Sequence, residues 1–137
     1  MPLVPNTLLS ASVTTLVALF YYYTTVKVST LRLKYKIEAP ACSGQVEFER
    51  AYRVQMNTLE QMAILLPLMW VATLYPIPWP WMTPLLGVIW VISRIIYLRA
   101  YMAGPEKRLT GWIIGAFCNL ALLILAISGL TIAWRAV

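Results

Sequence analysis

Residues 48–62, F-E-R-A-Y-R-V-Q-M-N-T-L-E-Q-M, run without a break into residues 63–75, A-I-L-L-P-L-M-W-V-A-T-L-Y. The second segment reads as the middle of a membrane span. The first carries two arginines, two glutamates, an asparagine and two glutamines. Ionisable groups are expensive inside a bilayer and seldom face lipid. A hydrophobic helix that begins with this much charge therefore needs a reason, and the rest of the chain supplies the setting for it.

Of 137 residues, 61% are hydrophobic and only 12% are charged. A soluble domain would be about half apolar and about a quarter charged. The mean hydropathy of +0.72 points the same way. Four stretches approach the roughly 20 apolar residues that a bilayer crossing requires: about 8–31, 48–75, 81–101 and 110–134. Their backbones must be satisfied internally, which makes them helices. The expected fold is all-α: a single domain over 1–137, built as an integral, multi-pass four-helix membrane bundle.

The connections fit that plan. Pro40 and Gly44 break a polar first loop over residues 32–47. The second connection, Y-P-I-P-W-P-W-M-T-P (75–84), is a tight turn whose tryptophans suit a membrane–water interface. In the third, Pro105 and Glu106 follow Gly104 and suit the first turn of a new helix. Arg32, Lys34, Lys36 and Arg50 flank the first loop, and Arg99, Lys107 and Arg108 the third. The positive-inside rule puts both loops in the cytoplasm. The net charge of +6 favours anionic lipid or an anionic ligand.

With no histidine in the chain, a His-based metal site, general base or triad is excluded. The two cysteines, Cys42 in the first loop and Cys118 in the fourth span, are expected at different depths and unpaired, and two cysteines make a poor zinc site. No metal is expected. A proton-coupled exporter of this size needs a carboxylate in its first span, and that span carries only Lys27. No nucleic-acid partner is expected.

On a helix of about 3.6 residues per turn, Arg50, Arg53, Asn57, Glu60 and Gln61 share one face, and Gln55 points elsewhere. In the third span Arg94, Tyr97 and Tyr101 align at i, i+3 and i+7. All lie toward the cytoplasmic loops, as does Arg108. Two readings stand side by side: a structural ion-pair network joining helices, or a ligand site. Guanidinium forks match carboxylates, and a single Glu among them suits an ammonium. The ligand would be a small zwitterion or anion of amino-acid character.

The pattern E-R-x-x-R-x-x-x-N-x-x-E (49–60), followed by an apolar span, resembles the signature of the MAPEG superfamily, the membrane-associated proteins of eicosanoid and glutathione metabolism. R-I-I-Y-L-R-A-Y (94–101) and E-K-R-L-T-G (106–111) match in the right order and at the right distance. Within the superfamily the likeness is to the microsomal glutathione S-transferases of the second and third types and to leukotriene C synthase. It implies a homotrimer with three sites between subunits. It implies a membrane-bound glutathione transferase that conjugates glutathione, its co-substrate, to a hydrophobic electrophile or reduces a lipid hydroperoxide, in a bacterial inner membrane or the endoplasmic reticulum. By position, Arg53 and Asn57 would hold glutathione, Glu60 its amino end, and Tyr97 and Tyr101 would line the pocket. Arg108 would stabilise the thiolate, and Arg32 and Gln55 would come from a neighbouring subunit. Arg94 is either a further glutathione-binding residue or a counter-ion to Glu60. The alternative is a non-catalytic relative that binds and presents lipid.

The chain departs from the family pattern at Leu33, where leukotriene C synthase has a second arginine, and at Gln61, where a tyrosine is usual. Gln45 and Val46 replace prolines ahead of the second-helix motif.

Overall fold

The computed structural model describes residues 5–137, and every regular element in them is helical. Four long helices make up the chain: α1 spans Pro5–Lys34, α2 Val46–Leu74, α3 Met82–Ala103 and α4 Leu109–Arg135, with a 3-10 turn over Pro105–Arg108 leading into α4. α1 and α4 contain their expected apolar stretches, whereas α2 stops one residue before Tyr75, at Leu74, and α3 starts one residue after Trp81, at Met82. Pro105 opens the short turn rather than α4 itself, which starts one helical turn later.

Three helical segments are long and apolar enough to cross a membrane: Asn6–Lys34, Met82–Ala103 and Pro105–Arg135. α2 is not among them; Glu47, Glu49, Arg50, Arg53 and Glu60 load it with charge from its first turn to its middle. Its 29 residues extend about 43 Å at about 1.5 Å per residue, against roughly 30 Å of hydrocarbon. Its charged turns therefore have room to lie at the interface while its apolar turns lie deeper.

Deep in the bundle Val13 and Val17 of α1 meet Leu65, Met69 and Ala72 of α2, Trp90 of α3, and Leu122 and Leu125 of α4. Outward-facing positions stay apolar, for example Leu16, Leu19, Ile92, Phe117 and Ile127, as a lipid-facing surface requires. Association between helices in lipid rests on close packing and interhelical hydrogen bonds, and both are present. Ser10 and Thr73 hydroxyls bond at 2.8 Å, Gln55 Nε2 donates to Thr25 Oγ1 at 3.0 Å, and Asn119 Nδ2 donates to Gln61 Oε1 at 2.8 Å. Gly111 and Gly115 form a G-x-x-x-G pair on α4. A Cβ on Gly111 would sit 2.6 Å from the Tyr97 amide nitrogen, so only glycine lets α4 approach α3 this closely.

The first and third connections lie at one end of the bundle: Arg50 Nη1, at the start of α2, donates to the Met102 carbonyl at the end of α3, at 3.0 Å. At that end Gly44, at φ +156°, donates its N–H to Glu49 Oε1 at 2.8 Å and so helps set the start of α2. Cys42 is exposed and Cys118 buried, and both are free.

Candidate functional site

The charged turns of α2 face the C-terminal half of α3 and the start of α4, and a cleft of about 600 Å³ opens between them. Arg53, Asn57 and Glu60 line it from α2, Tyr97 and Tyr101 from α3, and Arg108 from the turn before α4. Six of the residues singled out in the sequence are thus brought together. Helical spacing explains this: i, i+4 and i+7 from Arg53 lie on one face, as do i and i+4 from Tyr97.

No carboxylate in the cleft is neutralised by an ion pair. Among the described residues the salt bridge found is Lys34–Glu47 at 3.1 Å, on the surface by the first loop. The ion-pair network that the spacing allowed is therefore not what joins these helices. Glu60 instead accepts from Asn57 Nδ2 at 3.3 Å and is exposed to the cleft.

Two cations bracket a pair of aromatic rings, with Arg94 buried behind Tyr97 and Arg108 beside Tyr101 at the cleft. The Arg94 guanidinium carbon lies 4.5 Å from the Tyr97 ring centroid, the Tyr97 and Tyr101 centroids are 5.5 Å apart, and the Arg108 guanidinium lies 5.6 Å from Tyr101. Cations over aromatic faces attract within about 6 Å. The ladder fixes the tilt of both tyrosines and ties Arg108 to the wall of the cleft.

The remaining sequence candidates lie elsewhere. Arg94 is 0% exposed and does not line the cleft; it donates to Asn57 Oδ1 at 3.0 Å and to the Gly111 carbonyl at 3.1 Å. It makes no ion pair with Glu60. Gln61 leaves the α2 face assigned to it and turns to α4, bonding Asn119. Arg32 donates to the carbonyls of Ile37, Glu38 and Ala41 and stacks 4.9 Å over Phe48, and Gln55 bonds α1 through Thr25. Both point away from the cleft of their own chain. Arg50 borders a smaller recess of about 290 Å³ next to Arg53 and Tyr101.

Sequence reasoning missed Met56, Leu109 and Trp112, which add an apolar wall to the cleft. A signal was available: Leu109 and Trp112 follow Arg108 at i+1 and i+4, so Trp112 shares a helical face with it.

Residues 10–128 match the MAPEG family. The chain belongs to that family. As a MAPEG protein with three helices able to cross a bilayer, it is a membrane protein. It is similar to microsomal glutathione S-transferase 2 of Homo sapiens, 35% identical over 107 residues that cover 78% of this chain and 71% of that protein. Leukotriene C4 synthase of Bos taurus is 31% identical over 122 residues, covering 89% and 80%. An uncharacterised protein of Synechocystis sp. is 36% identical over 125 residues, covering 91% and 88%. The family match spans all three motifs on which the resemblance was read.

Proposed function

We propose that this MAPEG protein is a membrane-bound glutathione transferase, with its site open to the cytoplasm at the end where the first and third loops meet. The observation that carries the reading is the joining of Arg53, Asn57, Glu60, Tyr97, Tyr101 and Arg108 around one cleft. Arginine and amide donors suit the carboxylates of glutathione, and the unpaired Glu60 suits its ammonium. All four helices cross the membrane, and three chains assemble with Arg32 and Gln55 completing each site from the neighbouring chain. Their position outside their own chain's cleft supports that arrangement.

Chemistry follows from Arg108. A free thiol has a pKa of about 8.5, so only a few per cent is thiolate at neutral pH. Lowering that by about two units requires about 2.7 kcal/mol. A guanidinium in a site partly desolvated by its ligand can supply it. The thiol proton leaves to solvent. The thiolate then attacks an electrophilic carbon: a sulfur–carbon bond forms, and the bond to the leaving group breaks with its electron pair. With a lipid hydroperoxide the thiolate attacks the distal oxygen and the O–O bond breaks. That gives the alcohol and glutathione sulfenic acid, and a second glutathione reduces the latter to disulfide and water. Met56, Leu109 and Trp112 offer the lipophilic partner an apolar surface beside Arg108.

The test is conjugation of glutathione to chlorodinitrobenzene by detergent-purified protein, wild type against Arg108→Ala. Wild-type turnover and a large loss in an intact variant are expected. Glutathione binding without turnover of this electrophile or of cumene hydroperoxide would refute the transferase and favour a lipid-presenting protein.

A further inference from the structure

Arg94 is buried with no access to the cleft, yet it is the only described side chain bonded to both Asn57 and the α4 backbone. A guanidinium has donors and no acceptor. The Asn57 atom facing Arg94 Nη1 must therefore be the carbonyl oxygen. That leaves the NH₂ on the other side, 3.3 Å from Glu60 Oε2, and an ionised carboxylate only accepts. A flipped amide would set NH₂ against a guanidinium and oxygen against a carboxylate. Both neighbours thus select the same orientation.

Arg94 has little freedom to let go. It is stacked against Trp90 and Tyr97, at 5.6 and 4.5 Å from the ring centroids. It fills the space left by Gly115, where a Cβ would meet Nη2 at 2.8 Å.

We propose that Arg94 is a positioning residue of the cleft: it locks the Asn57 amide so that donors, and no acceptor, face the ligand. The interposed amide also braces the Glu60 carboxylate without neutralising it, as a direct Arg94–Glu60 pair would. The cleft then selects a ligand that offers an acceptor to Asn57 and an ammonium to Glu60. This rests on the glutathione reading above. It goes beyond that reading by assigning the preference for the free amino group to a residue that never touches the ligand.

The experiment is calorimetric binding of glutathione and of its analogue lacking the γ-glutamyl amino group, using detergent-purified wild type, Arg94→Met, Asn57→Ala and the double variant. Wild type is expected to prefer glutathione. Arg94→Met should weaken glutathione about tenfold or more, the worth of a hydrogen bond to a charged group, and shrink the preference for the amino group. In the Asn57→Ala background the same change should add less than about twofold, because a residue acting through Asn57 has nothing left to act on. Losses that multiply in the double variant, or an Arg94→Met protein with full affinity and preference, would overturn the positioning role. Should Arg94→Met not fold, Asn57→Asp decides: with one oxygen held by Arg94 and the other turned on Glu60, it should bind glutathione more weakly than Asn57→Ala. Equal or better binding overturns the proposal. Wild type that does not bind glutathione overturns the glutathione reading and this inference together; wild type that binds, with independent variant effects, overturns only the inference.

Discussion

Replacing Gly111 by alanine should separate catalysis from binding. Its Cβ would sit 2.6 Å from Tyr97 N, 2.8 Å from Tyr97 Cα and 2.9 Å from Ser93 O. All three are backbone atoms, so no rotamer change relieves the overlap. Ordinary contact begins at 3.4 Å, so close-packed α3 and α4 must part by about 0.8 Å locally. Such overpacking costs about 1–3 kcal/mol of stability. Arg108 lies three residues upstream and moves with α4, whereas Arg53, Asn57 and Glu60 stay on α2. A misplacement of about 1 Å costs roughly 100-fold in rate, or about 2.7 kcal/mol of barrier. Gly111→Ala should therefore lower kcat about 10- to 100-fold and change the glutathione KM much less. Gly115→Ala is the counterpart. Its Cβ meets Arg94 Nη2 at 2.8 Å and Ser93 Oγ at 3.1 Å, side-chain atoms that can give way, and it pushes Arg94 off Asn57. A raised glutathione KM with a smaller change in kcat is expected. Steady-state conjugation at varied glutathione, with thermal unfolding as a check on integrity, measures both. Wild-type kcat and Tm in Gly111→Ala, or the same kinetic pattern in both variants, would refute the reasoning.

Three further outcomes are expected. Arg108→Ala should move the alkaline rise in kcat/KM for the electrophile, at saturating glutathione, upward toward the free-thiol value of about 8.5, because the bound thiol loses the guanidinium proposed to lower its pKa; a pH–rate series checks it. Trp112→Ala should raise the KM for an apolar electrophile and leave that for glutathione unchanged, since Trp112 lies on the apolar side of the cleft; paired titrations of the two substrates measure this. The Tyr35 hydroxyl and the Lys34 ammonium hold the Glu47 carboxyl below its ordinary range. A depressed folded pKa stabilises above the unfolded value of about 4.3 and is lost as pH falls through the folded one. The Tm difference between wild type and Glu47→Gln should therefore be present at neutral pH and vanish in acid.

Much of this was legible from periodicity. Apolar runs located the helices, and one-face spacing on α2 and α3 gathered Arg53, Asn57, Glu60, Tyr97 and Tyr101. Arg108 needed the family resemblance, because an arginine in a basic loop otherwise reads first as a lipid-headgroup contact. Gln61 defeated the spacing argument: it sits at the edge of the charged face, and Asn119, 58 positions away, offered it a buried amide partner. Arg94 was ambiguous for a similar reason. Spacing put it beneath Tyr97, but its partner depends on how closely α4 approaches, and that is set by Gly111 and Gly115 on another helix. Trp112 went unread because an aromatic near a span end is ordinarily interfacial. Local pattern thus fixed what each helix presents, whereas contacts between helices decided which groups were left for a ligand.

Thiolate formation at Arg108 is the step on which the proposed activity depends, and the ultraviolet absorbance of the thiolate reports it directly. Glutathione bound to detergent-purified wild type should titrate near pH 6.5, about two units below the free thiol at about 8.5, and in Arg108→Ala near the free value. Bound glutathione that titrates at about 8.5 in the wild type, or equally low in both proteins, would contradict activation by Arg108.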